Sequence, residues 1–339
     1  MGSKNVLVTG GAGYIGSHTA KALAAVGFTP IVLDDMSAGH RWAVRWGPLI
    51  EGDIADEGLL RRTFVKYQIE AVIHLAASAY VGESMQNPRK YFHNNVTKAL
   101  TLLDTMLECG IDRLIFSSSC AIYGIPHSEV LDENHPQAPI NPYGETKLFF
   151  ERACHWYEQA HQLRSVCLRY FNAAGADPEG ELGESHFPEP HLIPRAIGTA
   201  LGVYPDLTVY GTDFPTPDGT AVRDYVHVSD VAAAHVVALG YLSEGGKSVR
   251  LNLGTGKGTS VRQVVRAVEE VSSRSIRMKN VARRPGDPGV LVACSDRARS
   301  ILGWNPRFSN IRSIISTAWD WTLSQSTNSS LVVGAGSSV

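Results

Sequence analysis

Residues 6–16, Val6-Leu7-Val8-Thr9-Gly10-Gly11-Ala12-Gly13-Tyr14-Ile15-Gly16, decide the fold. A β-branched run ends directly in glycines, so Val6 to Thr9 reads as a short buried strand. Gly10, Gly13 and Gly16 then form G-x-x-G-x-x-G, and apolar residues recur at helical spacing from Tyr14 to Val26, closed by Gly27. Glycines there let the backbone turn sharply and approach a pyrophosphate. The helix start offers free N–H groups and a positive dipole end. Pro30-Ile31-Val32-Leu33-Asp34 reads as the next strand, and Asp34 stands 24 residues after Gly10. An acid at that place grips the ribose hydroxyls of an adenine dinucleotide. A carboxylate there repels a 2′-phosphate, and Asp35 adds to it, so NAD is expected rather than NADP. Asp53, in Gly52-Asp53-Ile54, is placed either at the adenine edge or in a surface turn.

Strand and helix keep alternating further along. Strands are expected at Ala71–Leu75, Leu114–Ser118 and Ser165–Tyr170, with helices over Lys98–Cys109 and Lys147–Ala160. This is the pattern of an α/β fold, a Rossmann-type doubly wound parallel sheet covered on both faces. After about Asn172, Gly and Pro become frequent. The expected division is an NAD-binding domain over 1–172, completed by later segments near 222–254 that include a strand at Val249–Leu253. A smaller α/β substrate-binding domain spans 173–323. Residues 324–339 are Ser/Gly-rich and aperiodic, and are expected to form a disordered tail.

Bulk composition narrows the function classes. Hydrophobic residues make up 44% of 339, enough for a substantial core. The net charge of −2 gives no electrostatic footprint for nucleic acid or an acidic membrane. No apolar run is long enough to span a bilayer, and the first residues lack a secretory pattern. Cys109, Cys120, Cys154, Cys167 and Cys294 are scattered, which fits free thiols in a reducing cytoplasm. No Cys/His cluster suggests zinc, so no metal is expected.

Candidate chemistry lies in Asn141-Pro142-Tyr143-Gly144-Glu145-Thr146-Lys147. Asn141 can cap a helix whose first residue is Pro142, and Tyr143 and Lys147 then share one face. A free phenol titrates near ~10, so a tyrosine base at pH 7 needs a shift of about three units, or ~4 kcal/mol. A nearby ammonium and a cationic nicotinamide favour the phenolate. Ser117-Ser118-Ser119 closes a strand at the sheet edge where ligands bind, although spacing does not say which serine acts.

Five stretches occur in order: the loop 10–18, Ser117–Gly124, Asn141–Gly144 with Lys147, Arg169-Tyr170-Phe171-Asn172, and Val222-Arg223-Asp224-Tyr225-Val226-His227. Together they resemble the extended short-chain dehydrogenase/reductases, most closely the UDP-glucose (UDP-galactose) 4-epimerases, over nearly all of residues 4–320. The resemblance implies that Ser119, Tyr143 and Lys147 form a catalytic triad that moves the proton of the sugar 4-hydroxyl. It implies cofactor contacts from Gly10, Gly13, Tyr14, Ile15, Gly16, Asp34, Asp53, Ile54, Ala76, Asn94, Tyr143, Lys147, Tyr170 and Phe171. It implies a UDP-sugar held by Ser119, Tyr143, Asn172, Leu192, Arg223, Arg284 and Asp287, with the two guanidinium groups suited to a diphosphate. A homodimer is implied as well.

The chain departs from the family in places. Ala79 stands where some members have a cofactor-contacting lysine. Cys120-Ala121 follows the serines where alanine-threonine is frequent. Leu291 falls at a variable sugar-pocket wall, and Cys294 stands where aspartate is frequent. A sugar 4,6-dehydratase needs an Asp-Glu pair after the serine or threonine, and Cys120-Ala121 cannot supply that chemistry. Ser78-Ala79-Tyr80-Val81 and Tyr204-Pro205-Asp206-Leu207 keep a UDP-pentose (xylose/arabinose) 4-epimerase open. A non-catalytic NAD-binding scaffold is the reading from another class, and such proteins often lose the Tyr or Lys retained here.

Overall fold

The computed structural model describes residues 4–284 and 287–334, with side chains as far as Gln325. Short Val/Ile/Leu-rich runs assemble into seven parallel strands. Their order is Val249–Leu253, Arg164–Tyr170, Arg113–Ser119, Ala71–His74, Asn5–Thr9, Thr29–Asp34 and Leu49–Glu51. Alternate residues of a strand face opposite sides. Val6 and Val8 therefore join a core with Leu23, Val231 and Leu239, while Leu7 joins Leu60, Leu102, Met106 and Phe150 on the other face. The first core is covered by helices Tyr14–Ala25 and Val228–Ser243. The second is covered by Glu57–Tyr67, Lys98–Glu108 and Pro142–His161. Burying each such aliphatic side chain contributes about 1.5–3 kcal/mol.

Strand order reverses at Asn5–Thr9, with the next strand in sequence on one side and Ala71–His74 on the other. The crevice beyond the carboxyl ends of those strands is a topological switch point, where open α/β sheets bind ligands. It holds Gly10 and Ala76.

A four-stranded sheet joins Thr259–Ser260, Val222–Arg223, Val290–Ala293 and Val130–Leu131. Within 222–254, Val222–Arg223 thus pairs in the small sheet, whereas Val249–Leu253 extends the large one beside Arg164–Tyr170. A third core gathers helices Leu192–Ala200, Val261–Ser272 and Ile311–Gly334. That last helix runs through 324–334, where the sequence reading expects an unstructured tail. Ile314, Ile315 and Trp319 anchor its first turns in the core, and extending a formed helix costs far less than starting one. The remainder of the expected tail, 335–339, lies outside the described residues.

Candidate active site

The glycine loop is a cradle that tolerates little else. Gly10 has φ +69°, a left-handed conformation that glycine adopts freely. A Cβ on Gly10 would lie 2.7 Å from the Ala76 amide nitrogen, and one on Gly16 would overlap the Gly10 carbonyl oxygen. Gly13 caps helix Tyr14–Ala25 without a side-chain bond, and its first turn holds no acid. The positive end of that helix is left for an anion. Tyr14 Oη donates to the Gly175 carbonyl at 2.6 Å, and Ile15 packs on the sheet core.

Asp34 ends its strand buried, its two oxygens accepting from Ala12 N and Met36 N at 3.0 Å each. Burial raises its carboxyl against the pull of those two N–H groups. Each oxygen keeps a lone pair for a ribose hydroxyl. The cradle, the helix end and the fixed carboxylate fit a dinucleotide. Asn94 lies on a π-helical turn, His93–Thr97, and donates to Ser78 Oγ at 3.2 Å. Such turns concentrate at functional sites. Asp53 is engaged within the chain, accepting from Ala55 N at 2.9 Å and pairing with Lys98 Nζ at 2.5 Å. Burial would raise its carboxyl, but the Lys98 ammonium holds it low. Its neighbour Ile54 is part of the core.

Helix Pro142–His161 starts as its sequence dictates, with Asn141 Oδ1 accepting from Gly144 N at 2.8 Å and Pro142 in the first turn. The helix sets Tyr143 and Lys147 beside the carboxyl end of strand Arg113–Ser119. Ser119 singles itself out among the three serines, because its hydroxyl is the one that pulls down on the Tyr143 phenol; its Oγ also accepts from Ala121 N at 3.2 Å. Ser118 Oγ instead donates to Glu151 at 2.5 Å, and Ser117 Oγ bonds the Tyr170 hydroxyl. Lys147 is buried; its Nζ donates to the Ser117 carbonyl at 2.7 Å and lies 5.8 Å from the Tyr143 ring centroid.

The electrostatics differ from the sequence reading. Burial pushes the Tyr143 phenol up to about 12, although the Ser119 hydroxyl opposes this. Burial also takes the Lys147 ammonium down to about 7 against the support of Glu151. Forming the phenolate at pH 7 then costs about 7 kcal/mol, more than the ~4 of an ordinary phenol. Positive charge from outside the chain would favour the phenolate.

The other residues expected at the UDP-sugar come from separate elements, and of these only Arg223 lies in the four-stranded sheet. Arg223 Nη2 pairs with Asp287, and Arg223 registers beside Leu291. Arg284 stacks its guanidinium 3.8 Å from the Tyr210 ring centroid. Asn172 N donates to the Asp224 carbonyl at 3.0 Å, and Leu192 opens helix Leu192–Ala200. Phe171 and Leu291 pack with Ile122, Tyr123 and Cys120. Burial raises the Cys120 thiol to about 12, so it is inert at neutral pH.

Two groups escaped the sequence reading. Arg169 is fully buried and bidentate to Glu151, at 2.9 and 2.6 Å, and also donates to Tyr123 Oη at 2.9 Å. Glu151 is one turn beyond Lys147 on the same helix face, an i, i+4 spacing that was available as a signal. The second group is Glu184, His186, Glu189 and His191, whose ligand atoms lie within 4.8 Å of one another. Burial works against both histidines carrying charge, yet the two carboxylates raise His186 to about 9 and His191 to about 10.

Residues 6–254 match the NAD dependent epimerase/dehydratase family. The chain belongs to that family. It is 53% identical over 321 residues to the UDP-glucose 4-epimerase of Rhizobium leguminosarum bv. trifolii, covering 95% of this chain and 98% of that protein. The crystal structure of UDP-glucose 4-epimerase from Brucella ovis in complex with NAD is 52% identical, with TM-score 0.91 over 93% of this chain and 97% of that one. A UDP-glucose-4-epimerase from Stenotrophomonas maltophila, with bound NAD and formylated UDP-arabinopyranose, is 36% identical, with TM-score 0.92 over 96% and 99%. The expected α/β fold with a Rossmann-type parallel sheet is the observed one.

Proposed function

We propose that this chain is an NAD-dependent UDP-sugar 4-epimerase whose main substrate pair is UDP-glucose and UDP-galactose. The observation that carries the reading is the buried Tyr143 phenol, which the Ser119 hydroxyl pulls down, with Lys147 Nζ anchored on the Ser117 carbonyl and 5.8 Å from the phenol ring, at the sheet edge that also bears the glycine cradle. Gly10, Gly13, Gly16 and Asp34 would hold NAD. Bound NAD supplies a ring carbon that accepts a hydride and gives it back, so no net oxidation results.

The chain's own residues do the rest. Tyr143 takes the proton of the sugar 4-hydroxyl and returns it to the inverted oxygen. Ser119 aligns that hydroxyl with the phenol. Lys147, anchored on the Ser117 carbonyl, shares the developing charge, so phenolate and ammonium form as a coupled pair. Arg223 and Arg284 neutralise the diphosphate, and Asn172, Leu192 and Asp287 fix the nucleotide. Cys120 and Ala121 offer no acid–base pair to expel water, which favours inversion over dehydration.

The pentose reading draws support from the relative crystallised with formylated UDP-arabinopyranose and from Ser78–Val81. Purified protein incubated with UDP-glucose, UDP-galactose, UDP-xylose, UDP-arabinose or UDP-N-acetylglucosamine, without added reductant, tests the choice. Fastest conversion of the hexoses is expected, and conversion of the pentoses alone would overturn it. The same reading makes the enzyme a cytoplasmic homodimer. Five unpaired cysteines are consistent with that compartment, and light scattering after gel filtration tests the dimer.

A further inference from the structure

Glu184, His186, Glu189 and His191 come from one eight-residue stretch that leads into helix Leu192–Ala200. The two carboxylates are nearly buried, with side-chain exposures of 8% and 10%. Two carboxylates this close and nearly buried stay ionised only when positive charges compensate them. Either two imidazolium rings or one divalent cation can supply those charges, and one atom favours the cation. His186 Nδ1 is shut off from solvent, 3.2 Å from Glu184 Oε1 and 3.6 Å from Glu189 Oε2, yet it has no hydrogen-bond partner. His191 Nδ1 lies 2.5 Å from Glu184 Oε1 and 3.3 Å from Glu189 Oε1. Ligands about 2.0–2.1 Å from a tetrahedral zinc are ~3.3 Å from each other. Three of the four nitrogen–oxygen distances fall near that edge length, while His191 Nδ1 and Glu184 Oε1 stand closer; the orphaned His186 Nδ1 is the atom that a proton alone leaves unexplained.

We propose that Glu184, His186, Glu189 and His191 form a divalent-metal site, with Zn²⁺ the ion best suited to its two imidazole and two carboxylate ligands. Two imidazole nitrogens and two carboxylate oxygens within 4.8 Å of one another are the borderline donor set zinc prefers over magnesium or calcium. The two carboxylates neutralise the ion without residual charge. The ring of Tyr80 stands 6.0 Å from His186 and 6.2 Å from His191, and that of Tyr14 stands 6.5 Å from His186. A bound ion would therefore pin this segment against the glycine loop at Tyr14 and fix the start of the helix that carries Leu192. Its role is structural, outside the Ser119–Tyr143–Lys147 centre. The nearby acidic group Asp177, Glu179 and Glu181 is already neutralised in part by Lys21, which reaches all three, and is not part of the site.

The test uses full-length, untagged protein stripped with a chelator, dialysed and titrated with zinc sulfate. Elemental analysis after gel filtration should give about one zinc per chain, with a rise in thermal midpoint. Cobalt in place of zinc should give the intense visible bands of tetrahedral coordination. X-ray absorption of the zinc-loaded protein should show imidazole ligands. The His186→Gln/His191→Gln double variant should lose at least about tenfold in zinc affinity, and Glu189→Gln serves if that variant does not fold. No zinc retained at micromolar concentrations would overturn the proposal. So would an oxygen-only shell, or equal binding by the variants.

Discussion

Glutamine in place of Glu151 keeps the shape of the side chain and removes its charge. Arg169 would then be fully buried without its anion. Glu151 now accepts from Arg169 Nε at 2.9 Å, Arg169 Nη2 at 2.6 Å and Ser118 Oγ at 2.5 Å. An amide can accept only through one oxygen, and its NH₂ would face a donor. Removing one partner of such a pair costs about 3–5 kcal/mol, a large share of a stability near ~5–15 kcal/mol. Urea unfolding should show the midpoint of Glu151→Gln about 1 M or more below the parent at unchanged slope. Glu151 also supports the Lys147 ammonium, so the alkaline limb of kcat/KM should move to lower pH. Methionine at both 151 and 169 should recover most of the lost stability, since it removes both charges together. A Glu151→Gln midpoint within about 0.2 M of the parent would refute the buried pair.

Three further outcomes are expected. Tyr143→Phe should lower kcat by about 10²–10⁴ while UDP binding by calorimetry stays within a few-fold; full activity would remove Tyr143 from its role. Gly16→Ala should abolish NAD retention through gel filtration, because the new methyl overlaps the Gly10 carbonyl oxygen; normal NAD content would show that the loop can give way. His18, His74, His227 and His235 are buried, and burial holds them neutral, His74 to about 3 and the others to about 4. The unfolded chain binds those protons near pH 6.5 while the folded chain does not. Stability should therefore fall as pH drops below ~6.5, by on the order of 1 kcal/mol per buried histidine at pH 5.5, offset in part by His186 and His191, whose raised values add stability over the same range. Equal urea midpoints at pH 7.5 and 5.5 would contradict this.

Local signals carried far where the chemistry constrains neighbouring residues. The step from β-branched strand to glycines to helix is readable because pyrophosphate geometry demands all three in sequence, and Asn141-Pro142 announces its helix through capping alone. Long-range pairing left less trace. Arg169 sits in an otherwise apolar strand, and only its partner, 18 residues earlier, makes its burial tolerable. The choice of Ser119 over its neighbours depends on what each hydroxyl meets across the strand. Glu184, His186, Glu189 and His191 converge through an aperiodic loop, so neither helix nor strand spacing brings them together on paper. Along 324–334 helix propagation from the packed Ile314–Trp319 turns outweighs the Ser-rich composition that points to a tail.

The central claim is inversion at C4 by a hydride that leaves and returns within the site. UDP-glucose deuterated at C4, turned over to UDP-galactose in ordinary water, tests it directly by mass spectrometry and proton NMR. The product should keep its deuterium at C4. Exchange of that label with solvent, or no turnover by NAD-loaded protein, would contradict it.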